Sequence, residues 1–164
     1  MKKVIIFGGS GFLGSYVADE LSRRNFDVTI ADLYQSKHIR ENQKFVEIDV
    51  LNIEKVIDVI NDASIVYNFS AIAELEEAID NPIRTFDINV MGNLNILEAC
   101  KRAKNIERFV YASSAYALSN EGSFYGISKQ SSEKLTEEYF KKYGLKYTVI
   151  RYGSLYGERA SHNN

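Results

Sequence analysis

With 164 residues, 45% hydrophobic and 26% charged, the chain is sized for one well-buried core rather than two. Its net charge of -2 comes from interspersed Lys, Arg, Asp and Glu, with no basic run able to track a phosphate backbone, which argues against nucleic acid as a partner. A single cysteine, Cys100, excludes an intrachain disulfide, and His38 and His162 have no companions at ligand spacing, so no metal site is expected.

The opening run Lys3–Phe7 (KVIIF) predicts a strand, and glycines cut it too early for a signal segment or a membrane span. A soluble, cytoplasmic protein is the expectation. FGGSGFLGS follows, placing Gly8, Gly11 and Gly14 in a GxxGxxG spacing that opens a helix over Phe12 to Arg24. The first glycine permits a tight turn, the second lets backbone amides approach a pyrophosphate, and the third lets helix and strand pack closely. The helix N-terminus would then face the anion. Val28–Ala31 predicts the second strand, closed by Asp32 about twenty residues past the loop, where a carboxylate accepts bonds from ribose hydroxyls and repels a phosphate. That favours NAD over NADP, although Lys37 and Arg40 lie downstream.

Further strands are predicted at Phe45–Ile48, Ile65–Phe69, Phe109–Ala112 and Tyr147–Ile150. Between them, Ile53, Val56, Ile57 and Ile60 keep helical spacing. Phe86, Val90, Leu94 and Leu97 draw a longer stripe ending near Arg102, with Pro82 in its first turn, Asp80 or Asn81 as its cap, and Cys100 as a small packed hydrophobe. The last helix runs from Tyr125 to Tyr143. Strands apolar almost throughout, each followed by a helix, predict a doubly wound parallel α/β sheet in the order 3-2-1-4-5-6, with ligands beyond the carboxyl ends of the strands.

In GSFYGISK, a helix would stack Tyr125 and Lys129 one turn apart, close enough for an ammonium to act on a phenol. Taken in order, GGSGFLGS, Asp49-Val50, NFSAIAE, DINVMGNLNILEAC, FVYASS, YGISK and RYGSLYG resemble the extended short-chain dehydrogenase/reductases. The similarity is greatest to their NAD-dependent nucleotide-sugar epimerase/dehydratase branch, of the UDP-glucose 4-epimerase type. It covers Lys3 to Gly157, nearly the whole chain.

The resemblance implies catalytic roles for Ser114, Tyr125 and Lys129. It places Phe12, Leu13 and Leu33 beside the glycines and Asp32 on the cofactor surface, Asp49 and Val50 against the adenine, and Phe69, Ser70, Ala71 and Ala73 beneath the cofactor's middle. Asn89 would support the site, and Tyr152, Gly153 and Ser154 would lie near the nicotinamide. The implied activity is epimerisation of a nucleotide sugar at C4 through a transient ketone. A nucleotide-sugar reductase or dehydrogenase, and a non-catalytic NAD-binding module, are the competing readings. A homodimer through the long helix and the Tyr125 helix is common among such proteins.

Two departures stand out. Most relatives carry a Val-Tyr-Gly segment after the serine pair, whereas here Ala117 and Leu118 stand where Val and Tyr would be expected, and only ten residues separate Ser114 from Tyr125, so the wall of the sugar pocket is expected to be altered. Sugar dehydratases carry an acidic residue directly after the Ser/Thr, and Ala115 and Tyr116 disfavour dehydration; Tyr116 is expected to fill the core or, as the lesser alternative, to pack on a sugar. Residues 1–157 are expected to form the NAD-binding domain, and 158–164 a frayed polar tail at the start of a missing substrate lobe.

Overall fold

A computed structural model describes residues 1–160. Six strands form one parallel sheet: β1 (Lys3–Phe7), β2 (Asp27–Asp32), β3 (Gln43–Glu47), β4 (Ile65–Asn68), β5 (Arg108–Ser114) and β6 (Tyr147–Tyr152), in the order β3-β2-β1-β4-β5-β6. The predicted order is therefore present. The register sets Phe7 beside Ala31 on one side and beside Asn68 on the other, so the carboxyl ends of β1, β2 and β4 lie level with one another.

Alternation along β1 divides the core. Ile5 and Phe7 point to one face, where Val66, Phe109 and Tyr111 meet the helices α2 (Ile53–Ile60), α5 (Gly92–Arg102) and α6 (Ser123–Tyr143). Val4 and Ile6 point to the other, against Val28, Ile30 and the Ala18 and Leu21 side chains of α1 (Phe12–Arg23). The fully buried Phe, Ile and Val side chains contribute roughly 1.5–3 kcal/mol each, enough to stabilise the domain without a cross-link. Cys100 lies within this core, and burial pushes its thiol pKa up, as befits a small packed hydrophobe. The edge strands β3 and β6 are half-exposed, so the expectation of strands buried on both faces holds only for the middle of the sheet.

The predicted long helix is broken into three parts. Short helices α3 (Leu75–Asp80) and α4 (Pro82–Phe86) come first, then a π-helical turn over Asp87–Met91, then α5. Pro82 does open α4, but neither Asp80 nor Asn81 caps it with a side chain; the Asn81 carbonyl instead accepts from the Thr85 N–H and hydroxyl. Between β5 and α6 a 3-10 turn spans Ala115–Leu118, an element that no periodicity in the sequence predicts. After β6, Arg159 donates to Asp19 at 2.8 Å and lies over the Tyr16 ring. Residues 161–164 lie outside the described part. Among the described residues no helix is long and apolar enough to cross a membrane.

Candidate active site

The loop after β1 explains its own glycines. Gly8 has φ +70°, and a Cβ there would lie 2.5 Å from the Ser70 nitrogen. At Gly14 a Cβ would sit 2.3 Å from the Gly8 oxygen, so α1 can rest on the loop only without a side chain. Gly11 differs, because its Cβ would meet nothing closer than the Gly8 oxygen at 3.4 Å. Among the described residues no packing demands a glycine at that point. The first intrahelical bond of α1 runs from the Ser15 N–H to the Gly11 carbonyl, so the N–H groups of Phe12, Leu13 and Gly14 precede it at the positive end of the helix.

Asp32 ends β2 beside this loop. One carboxylate oxygen accepts from the Ser10 N–H at 2.9 Å and the other from the Leu33 N–H at 2.8 Å. Burial raises its carboxyl pKa, with the Ser10, Leu33 and Tyr34 amides opposing. With these amides in place the carboxylate keeps room for a further donor. Arg40, a possible phosphate partner by sequence, is turned away: its guanidinium grips Asp19 of α1 with bonds of 2.7 and 2.8 Å. Asp49 is exposed and its carboxylate accepts from the Leu51 N–H, while Val50 is buried against Gly92 of α5.

A network of amides that sequence patterns do not reveal fixes the loop after β4. The Asn68 side-chain oxygen accepts from both the N–H and the hydroxyl of Ser70, and its nitrogen donates to Asn93 at 2.9 Å. Asn89 accepts from the Ile72 N–H at 2.8 Å and donates to the Ile72 carbonyl and to Ser128 Oγ. The π turn thus places an almost fully buried Asn89 between the Ser70–Ala73 loop and α6. Its bonds are directed at protein groups and hold that loop. Phe69, Ser70 and Ala71 are half-buried at the rim and Ala73 is exposed.

The third wall carries Ser114, Tyr125 and Lys129. Ser114 is the last residue of β5, and its hydroxyl accepts from the Tyr116 N–H at 3.2 Å. Lys129, on α6 and 3% exposed, donates from Nζ to the Ala112 carbonyl at 2.8 Å and lies 5.6 Å from the centre of the Tyr125 ring. The oxygen-bearing ring and the cation therefore share one side of the helix. Burial lowers the Lys129 pKa to about 8, with Glu133 opposing, so the ammonium persists at neutral pH. Burial raises the Tyr125 pKa, and a hydrogen bond with Ser114 opposes the rise.

Gly122 and Gly126 account for the short loop before Tyr125. A Cβ at Gly122 would lie 2.6 Å from Cβ of Tyr116, and one at Gly126 would lie 2.9 Å from the Tyr116 oxygen. The start of α6 thus docks on the 3-10 turn and brings the Tyr116 ring edge-on to Tyr125, with centroids 6.4 Å apart. At 37% exposed, Tyr116 lies outside the core where it was expected, because the glycine contacts hold its backbone and leave the ring at the surface. Tyr152 ends β6, half-buried, with Gly153 and Ser154 exposed beyond it.

The family model for the NAD dependent epimerase/dehydratase family matches residues 4–164. A UDP-glucose 4-epimerase of Lactobacillus helveticus is 30% identical over 94% of this chain and 52% of its own length. Among solved structures, UDP-glucose 4-epimerase from Thermotoga maritima with UDP-glucose superposes with a TM-score of 0.89 at 28% identity, covering 96% of this chain and 57% of that one. The Thermus thermophilus UDP-glucose 4-epimerase complex with NAD gives 0.87 at 30% identity, with the same coverage. The chain spans little more than half the length of the curated relatives it matches, from 52% to 57% for three of them.

Proposed function

From the premise that this chain belongs to the NAD dependent epimerase/dehydratase family, we propose that it is the cofactor-holding and catalytic half of a nucleotide-sugar 4-epimerase acting on a UDP-hexose of the glucose type. The observation that carries this reading is that Ser114 ends β5 beside Tyr125 and a buried Lys129 of α6, in the same sheet whose β1 and β2 run into the glycine loop and Asp32. The residues present fit a dinucleotide. Gly11 leaves room for a pyrophosphate at the start of α1, and Asp32 is held by Ser10 and Leu33 with capacity for ribose hydroxyls. NAD suits the site better than NADP, since Arg40 is committed to Asp19 and Asp32 would repel a 2′-phosphate.

When bound, NAD supplies the acceptor and later the donor of the hydrogen carried on the sugar's C4. The protein's own residues handle the proton. Tyr125 takes it from the C4 hydroxyl, Ser114 donates a hydrogen bond to the same oxygen, and C4 becomes a ketone. Tyr125 then returns the proton to the oxygen once the opposite face of the ketone has been presented. A phenol whose pKa is raised by burial is a poor base alone, so the fixed positive charge of Lys129 is needed to make its anion accessible as the site fills. The 3-10 turn places Tyr116 beside the reacting phenol, where an aromatic ring can pack on a sugar.

In the polypeptide carrying this chain, supplied with NAD and UDP-glucose, Tyr125→Phe is expected to reduce turnover by about 100-fold or more while NAD affinity stays within a few-fold. Equal loss of both would contradict the role assigned to the phenol.

A further inference from the structure

Tyr125, Lys129 and Glu133 follow one another at four-residue steps along α6, so their side chains form a row on one helix face. Glu133 is held from two strands. Its carboxylate accepts from the hydroxyl of Ser113 on β5 and takes a two-pronged bond from the Arg151 guanidinium on β6, at 2.9 and 2.7 Å. The carboxylate side chain is only 13% exposed. Ser113 stands between Ser114 and Ala112, whose carbonyl receives the Lys129 ammonium.

An ammonium removed from water needs an opposing charge or it sheds its proton. The groups around Lys129 offer few candidates. From α6 come Tyr125 and Glu133; from β5, the Ala112 carbonyl and the Tyr111 ring, 5.0 Å from Nζ; from β6, Arg151, which acts through Glu133. The π turn and α5 present the neutral amides of Asn89 and Asn93, and Glu74, before α3, bears on Tyr125.

We propose that Glu133 is a positioning residue: clamped by Ser113 and Arg151, its carboxylate is the fixed counter-charge that keeps the buried Lys129 cationic beside Tyr125. This rests on the assignment of Lys129 as the cation that serves the phenol. It also explains the double clamp, since a mobile carboxylate could swing to water, whereas one fixed to both strands keeps its place below the lysine.

The test is a pH titration of the Lys129 side chain by NMR in the 164-residue chain labelled with ¹³C at lysine Cε, the resonance being assigned with Lys129→Arg. In the unsubstituted chain the midpoint is expected near 8. Glu133→Gln is expected to lower it by about half a unit or more. The direction is decisive, because mere loosening of the packing would admit water and raise the midpoint toward the ordinary lysine value of about 10.4. A midpoint unchanged or raised in Glu133→Gln overturns the proposal. Ser113→Ala removes one hold on the carboxylate without changing any charge and is expected to lower the midpoint, in the same direction as Glu133→Gln. A rise or no change in Ser113→Ala overturns the proposal as well, and this arm decides should Glu133→Gln fail to fold. The readout is a titration, so its failure is distinct from a failure to detect epimerisation.

Discussion

Gly11→Ala is expected to weaken NAD binding by about 10- to 100-fold while moving the melting temperature by no more than about 3 °C. On the side of the fold, the new methyl group would meet only the Gly8 oxygen at 3.4 Å, and the backbone angles, φ -73° and ψ 179°, are ordinary for alanine. Alanine is a worse helix N-cap than glycine by about 0.5–1 kcal/mol. Its stiffer unfolded chain offsets this by about 0.4–1 kcal/mol, leaving a net change close to zero. On the side of the ligand, the methyl group would occupy the open approach to the amides of Phe12 and Leu13. One or two charge-assisted hydrogen bonds would be lost, at about 1.5–3 kcal/mol each before the anion readjusts. The same substitution at Gly14 drives a Cβ to 2.3 Å from the Gly8 oxygen and is expected to cost about 2 kcal/mol of stability or more. Thermal melts and calorimetric NAD titrations of the two variants separate these effects. Unaltered NAD affinity in Gly11→Ala would refute the placement of the pyrophosphate, and an unaltered melt in Gly14→Ala would refute the close helix contact.

Burial alone would raise the Asp19 carboxyl, yet the hydrogen bonds from Arg40, Arg159 and Gln43 outweigh it and bring the pKa down to about 2. A depressed carboxyl contributes stability above its unfolded pKa and loses it as pH falls through the folded one. Asp19→Asn is therefore expected to flatten the pH dependence of urea unfolding between about pH 4 and pH 2, by about 1–2 kcal/mol. Identical slopes for both proteins would remove the tail contact of Arg159 from the account. Asn89→Ala strands the Ile72 amide and carbonyl and should cost about 2–3 kcal/mol by denaturant unfolding, with weaker NAD binding through the loosened Ser70–Ala73 loop. Wild-type stability in that variant would show the clamp to be dispensable.

Much of this is legible in the chain because local rules and the fold agree. Six short apolar runs separated by helical spacing lead to the sheet order, and the tight turn expected at Gly8 and the close packing expected at Gly14 match their backbone angle and contacts. What escapes is tertiary. The stripe of Phe86, Val90, Leu94 and Leu97 reads as one continuous helix, yet a π turn interrupts it so that Asn89 can reach Ile72 and Ser128. No periodicity encodes that, since the partner residues lie far along the sequence. The exposure of Tyr116 is hidden too, because the contacts of Gly122 with its Cβ and of Gly126 with its carbonyl cannot be seen from composition. The raised Tyr125 pKa escapes for a similar reason: the i, i+4 spacing brings a cation near the ring, but the degree of burial, the largest cause of the rise, belongs to the whole fold.

The most direct test of the central claim is to follow a nucleotide hexose deuterated at C4 by NMR, with NAD and the polypeptide carrying this chain. The expected result is inversion at C4 with the deuterium retained on the same carbon and no net NADH formed. Loss of the label to solvent, or NADH accumulating in step with product, would contradict a closed cycle in which Tyr125 handles only the proton.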